Sequence, residues 1–83
     1  MTWRLEYSDS ARRDLRALDD AVARRVLRKL DGIQTDPLRS MKRLKGSKDW
    51  RLRVGDWRVV AQADAAGKVL TVKRIQHRSV VYG

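Results

Sequence analysis

The stretch Trp50-Arg51-Leu52-Arg53-Val54-Gly55-Asp56-Trp57-Arg58-Val59-Val60-Ala61-Gln62-Ala63 alternates apolar and polar residues on both sides of Gly55-Asp56. Alternation with period two around a two-residue Gly/Asp turn is the pattern of a tight β-hairpin. With Gly55 and Asp56 as the loop, Val54 lies opposite Trp57, Arg53 opposite Arg58 and Leu52 opposite Val59. Trp50, Leu52, Val54, Trp57 and Val59 then share one face, and Arg51, Arg53 and Arg58 share the other. The first face reads as core, its tryptophans included, because base-stacking aromatics would have to stand on the opposite side.

Downstream, Asp64-Ala65-Ala66-Gly67 supplies a second turn, and Lys68 to Ile75, rich in Val, Leu and Thr, reads as a further strand. A four-residue loop puts Val59 opposite Val72, Ala61 opposite Leu70 and Arg58 opposite Lys73, which adds Lys73, Gln62 and Thr71 to the arginine face. A three-residue loop reverses the strand and removes Lys73 from that face. If the last strand runs on unbroken, its parity puts His77 on the side of Arg51 and Arg53.

Upstream, Thr2 to Tyr7 alternates with Trp3, Leu5 and Tyr7 on one side, as in a half-buried strand. Ser8 offers an N-cap, and Ala11, Leu15 and Leu18 follow at helical spacing, which predicts a helix over about 9–18. After Asp19-Asp20 a second stripe, Val22, Val26, Leu30 and Ile33, predicts another helix that Pro37 ends near Thr35. Arg24, Arg25, Arg28 and Lys29 on it read as a solvated face. Residues 38–49 are basic and irregular. The order is β-α-α-β-β-β: a small α+β domain spanning 1–83, with an antiparallel meander and an N-terminal strand packed on a helical hairpin.

The charge is unevenly spread. The 83 residues carry 20 Lys and Arg against 10 Asp and Glu, net +10. Residues 1–37 hold 8 basic and 7 acidic groups, and residues 38–83 hold 12 and 3. Such one-sided basicity attracts polyanions. Nucleic acid is favoured over anionic lipid, because the bases lie on strand-like segments rather than along an amphipathic helix. Like charges directly across a strand pair cost some tenths of a kcal/mol. Solvent screening is the plain answer to that cost; phosphates gripped by guanidinium forks are the functional one. With no cysteine, disulfides, thiol catalysis and thiolate metal sites are excluded, and a reducing compartment fits. No apolar run approaches the roughly 20 residues of a membrane span, and Met1 to Glu6 lacks a signal-peptide stretch. A soluble cytoplasmic protein is expected.

The chain ends on Arg74-Ile75-Gln76-His77-Arg78-Ser79-Val80-Val81-Tyr82. His77 is the only side chain of a type that exchanges protons near neutrality, although an isolated histidine also serves as a surface or capping residue, and Tyr82 can equally be a packing residue. Leu44-Lys45-Gly46, the hairpin Trp50 to Val60, and Ile75-Gln76-His77-Arg78 with Val81-Tyr82 together resemble the RelE branch of the RelE/ParE toxins of bacterial toxin–antitoxin systems, over the whole chain in length, element order and charge. The resemblance implies a toxin that cleaves mRNA in the ribosomal A site and is neutralised by a RelB-like antitoxin wrapped around it. It also implies that the complex binds operator DNA through the antitoxin.

On that resemblance Arg51 and Arg53 fall where the family has paired basic residues, Arg58 where it has a phosphate-contacting arginine, and Arg78 and Tyr82 where it has its C-terminal catalytic pair. Arg43, Lys45, Lys48, Lys73 and Arg74 are expected to contact RNA. The implied chemistry needs neither metal nor cofactor. The 2′-hydroxyl attacks the adjacent phosphate, which requires a proton acceptor, charge stabilisation on the phosphoryl oxygens and a proton for the leaving oxygen. Arginine suits the second task and not the first, so His77 is the expected base, with Arg78 assisting the leaving group and Tyr82 stacking on or orienting a nucleobase. The competing expectations are a ParE-like gyrase poison without catalysis and a degenerate member that only binds its antitoxin.

Overall fold

A computed structural model describes residues 2–81. The elements are β1 (Arg4–Tyr7), α1 (Asp9–Ala17), α2 (Asp20–Gly32), α3 (Pro37–Ser40), β2 (Lys42–Arg43), β3 (Asp49–Val54), β4 (Trp57–Asp64), β5 (Val69–His77) and α4 (Arg78–Val81). They build one five-stranded sheet in the order β1-β5-β4-β3-β2. β1 runs parallel to β5, and the other pairs are antiparallel.

Local chemistry accounts for the helix boundaries. Ser8 caps α1 by accepting the Ala11 N–H at 3.1 Å, and the same hydroxyl donates to the Lys73 carbonyl of β5 at 2.9 Å. Pro37 opens α3 at the first helical turn, where its missing N–H costs nothing. The stripe of α1 and α2 packs Ala11, Val26 and Leu30, with Ile33 just beyond, against Leu52, Val54, Val59, Ala61, Leu70, Val72 and Ile75 of the sheet. Each of the Val, Leu and Ile side chains among them, once buried, contributes on the order of 1.5–3 kcal/mol. Trp3 closes the end of this core and is tied to the loop after α2: its N–H donates to the Gln34 carbonyl at 2.8 Å, and Gln34 Nε2 donates back to its carbonyl at 3.1 Å.

The β3–β4 register agrees with the hairpin reading, with Val54 opposite Trp57, Arg53 opposite Arg58 and Leu52 opposite Val59. Two elements lie in the stretch read as irregular, the one-turn α3 and the two-residue edge strand β2. The second hairpin departs further. Its loop has four residues, 65–68, and Asp64 pairs with Val69, Ala63 with Leu70 and Ala61 with Val72. The register then shifts at Val60/Ala61, so that Val60 faces Arg74, Arg58 faces Gln76 and Trp57 faces His77. Lys73 is the extra residue of this bulge, and it reverses the parity of everything after it. The loop begins one residue later than the expected 64–67, which moves every partner by two, and the bulge adds one more: Ala61 pairs with Val72 instead of Leu70, Val59 with Ile75 instead of Val72, and Arg58 with Gln76 instead of Lys73. His77 lies on the Trp57 side, not with Arg51 and Arg53.

Candidate nucleic-acid interface

Both long helices cover one face of the sheet, so the other is left to the residues of alternate parity. On β3 these are Asp49, Arg51 and Arg53; on β4, Arg58, Val60 and Gln62. Lys42 joins them because it pairs with Arg51 across β2–β3. Where β2 ends, Arg51, Arg53 and Arg58 line a single cavity of about 340 Å³ together with Lys42, Lys29 of α2 and Ser40. No carboxylate lines it. Arg58 stands on the inner strand β4 and is only 9% exposed, so the cavity has one enclosed cation on its floor and others at its rim. Arg53 is exposed, and its Nε donates to the Gly55 carbonyl at 3.3 Å.

Arg78 reaches the same end of the sheet. It opens α4, its backbone N–H donates to the Asp56 carbonyl at 2.8 Å, and its Nη1 lies 4.0 Å from Asp56 Oδ1. Arg53 and Arg78 are thus held by the two successive residues of one turn. Tyr82 lies outside the described residues.

His77 is not brought to this cavity. Its ring meets Trp57 edge to face, with centroids 5.1 Å apart and planes at 82°, and its Nδ1 is 2.9 Å from Ser79 Oγ. It lines a separate cleft of about 270 Å³ beside Asp14, Leu18 and Trp57, under the end of α1. The bulge at Lys73 is the cause.

The bases expected to contact RNA divide into two groups. Arg43, Lys45 and Lys48 gather around the turn between β2 and β3, which Gly46 makes possible with a φ of 77°. Lys73 and Arg74 are held in ion pairs. Lys73 Nζ lies 3.2 Å from Asp49 Oδ1 on the arginine face. Arg74 Nε lies 3.0 Å from Asp14 Oδ2, which also accepts the Ile75 N–H at 2.8 Å. Asp14 in this way closes the part of the β5 edge that β1 does not reach. Lys29, Ser40 and Lys42 are site residues that sequence reasoning does not single out. The hydrophobic stripe of α2 does mark Lys29, as a residue on its polar side, but no sequence signal sets the register of β2 that adds Lys42.

Among the described residues there is no group of His, Cys, Asp and Glu side chains able to hold a metal ion. None of the described helices is long and apolar enough to cross a membrane.

Residues 5–82 match the family model described as the ParE toxin of type II toxin–antitoxin systems, parDE. The chain belongs to that family and is thus a toxin of the RelE/ParE superfamily. Within the superfamily its fold is that of RelE toxins. It superposes on the toxin of the RelBE2 toxin–antitoxin complex from Mycobacterium tuberculosis with a TM-score of 0.87, at 23% identity over 94% of this chain and 100% of that one. The archaeal RelE–RelB complex from Pyrococcus horikoshii gives 0.81 at 25% identity over 98% and 100%. A mutant of Escherichia coli RelE in the free state gives 0.80 at 21% identity over 98% and 88%. No curated protein sequence matches the chain significantly.

Proposed function

We propose that the chain is a ribosome-dependent mRNA endonuclease that arrests translation in the cytoplasm, and that a RelB-like antitoxin holds it inactive. The observation that carries this reading is the cavity in which Arg51, Arg53 and Arg58 converge with Lys29 and Lys42 and no carboxylate. A phosphodiester entering it exchanges repulsion among cations for charge-assisted hydrogen bonds. In a partly enclosed site these are worth more than on an open surface.

In the proposed reaction the 2′-oxygen forms a bond to phosphorus while the bond to the 5′-oxygen breaks, leaving a 2′,3′-cyclic phosphate and a 5′-hydroxyl. The three guanidinium groups take up the charge that grows on the non-bridging oxygens, and Arg58, the most enclosed, is preorganised for that task. Arginine stays protonated and cannot accept the 2′ proton, whereas an amine can. The accepting step is therefore assigned to Lys29 or Lys42 rather than to His77, which sits across the sheet. Arg78, at the adjoining turn, is assigned to hydrogen-bond the leaving 5′-oxygen and stabilise its developing charge, and that oxygen takes its proton from solvent water. The antitoxin is proposed to cover the cavity with an acidic or amphipathic segment and to carry the complex to operator DNA.

The second reading, a gyrase poison without catalysis, is favoured by the family whose model the chain matches. Purified toxin incubated with message-programmed ribosomes, and separately with gyrase and supercoiled DNA, discriminates the two. Codon-phased RNA breaks ending in cyclic phosphate support the nuclease. Intact message with gyrase-dependent DNA breaks would establish the poison instead.

A further inference from the structure

A second basic groove adjoins the first. Between α2 and the β3–β4 turn lies a cavity of about 450 Å³ lined by Arg25, Arg28, Lys29 and Arg53 over a floor of Ile33 and Val54. Arg25, Arg28 and Lys29 stand at i, i+3 and i+4 on α2 and therefore share one face. Gly55 lets this face close on the turn: a Cβ built there, at φ 60°, would lie 3.2 Å from Arg25 Nη1. The Gly55 carbonyl meanwhile holds Arg53 from the other side, so two guanidinium groups are kept beside one glycine. None of the four cations makes an ion pair among the described residues, and no carboxylate lines the groove. Lys29 and Arg53 also line the sheet-face cavity, so the two cavities adjoin and share these two cations.

Two carboxylate-free cavities in series, sharing two cations, fit a linear polyanion that passes from one to the other. We propose that the α2 groove is a second RNA-backbone subsite, which grips phosphates flanking the one in the sheet-face cavity and so sets the minimum length of single-stranded RNA that binds tightly. This rests on the reading of the sheet-face cavity as an RNA site and extends it to residues outside the proposed chemistry.

The test compares a trinucleotide with a nonanucleotide, both 2′-deoxy at the scissile position to prevent cleavage, by fluorescence anisotropy on the full chain. The wild type should bind the longer RNA more tightly. Arg25→Ala/Arg28→Ala should weaken nonanucleotide binding about tenfold or more and flatten its log K against log salt by about 1.4, the contribution of two single-strand phosphates. Its trinucleotide affinity should stay unchanged. Equal loss for both lengths, loss for neither, or a wild type that binds both equally would overturn the subsite. So would Arg25- and Arg28-dependent binding of hexaglutamate combined with unaltered nonanucleotide binding, which would make the groove a protein site. Arg51→Gln serves as the separate control: if it leaves trinucleotide affinity intact, the sheet-face reading falls, while the length comparison still decides the groove.

Discussion

Ser8 does three things at once. Its backbone N–H donates to the Val72 carbonyl at 2.9 Å, its hydroxyl donates to the carbonyl of bulge residue Lys73, and its Oγ accepts the Ala11 N–H that starts α1. Ser8→Ala removes the cap and leaves a partly buried carbonyl without its donor, a loss of about 1–2 kcal/mol in urea denaturation. Tyr7 is a residue-scale probe of a different kind. Burial, and then the Asp31 carboxylate, raise its phenol above the ordinary value of 10.0. The unfolded chain therefore gives up this proton first, so the contribution is intact below pH 10.0 and is lost as pH rises through the folded value. Melting curves should show Tyr7→Phe losing less stability than the wild type above that pH. An identical alkaline decline in both would show that Tyr7 ionisation is not linked to folding.

At the scale of elements the decisive feature is the bulge in β5. Deleting Lys73 would restore an unbroken ladder in which Val72, Arg74 and Ile75 simply alternate, so Ile75, 3% exposed, should stay opposite Val59 and His77 should stay packed on Trp57. The loss in urea denaturation should be limited to about 1–2 kcal/mol, for the Lys73–Asp49 ion pair and the carbonyl that accepts the Ser8 hydroxyl. A loss of about 2–5 kcal/mol, the cost of truncating a buried isoleucine, would show that Ile75 had left the core and that the bulge does not set the parity. The same bulge separates what is legible in the sequence from what is not. The first hairpin is fully legible, because Gly55-Asp56 fixes its loop and the alternation is unbroken on both sides. The helix starts are legible in Ser8 and Asp19, whereas Pro37, expected to end the second helix near Thr35, instead opens α3, and α2 stops earlier, at Gly32. For β5 the expectation fails because it extends the alternation past Val72, although the apolar positions Leu70, Val72 and Ile75 are spaced two and then three. That three-residue step is the available sign that the strand changes face, and it also moves His77. α3 and β2 leave no such mark: one helical turn and a two-residue strand are too short for a periodicity, and pairing with β3 holds β2 in place. The cluster Arg51, Arg53 and Arg58 follows from the hairpin alone, whereas Lys29 and Lys42 enter it only through tertiary structure.

For the whole molecule the excess of cations is a cost borne by the fold. Net +10, with seven cations lining two adjoining cavities that no carboxylate lines, repels itself in the compact state. Raising ionic strength from about 0.01 to 0.15 M shortens the screening length from roughly 30 to 8 Å. The melting temperature should therefore rise with salt, and at low salt an RNA oligonucleotide should raise it further by binding the native state. A melting temperature that falls with salt would mean that surface ion pairs outweigh the repulsion. The central claim is that RNA meets the guanidinium cluster and not the imidazole. Its most direct test is the single-turnover cleavage of message on programmed ribosomes by Arg51→Gln/Arg53→Gln and by His77→Ala, each first shown by circular dichroism to be folded. The arginine pair should lose at least about a hundredfold in rate, the scale of removing a preorganised charge-stabilising donor, while His77→Ala stays within a few-fold of wild type. A His77→Ala variant that is inactive beside a fully active arginine variant would contradict the account.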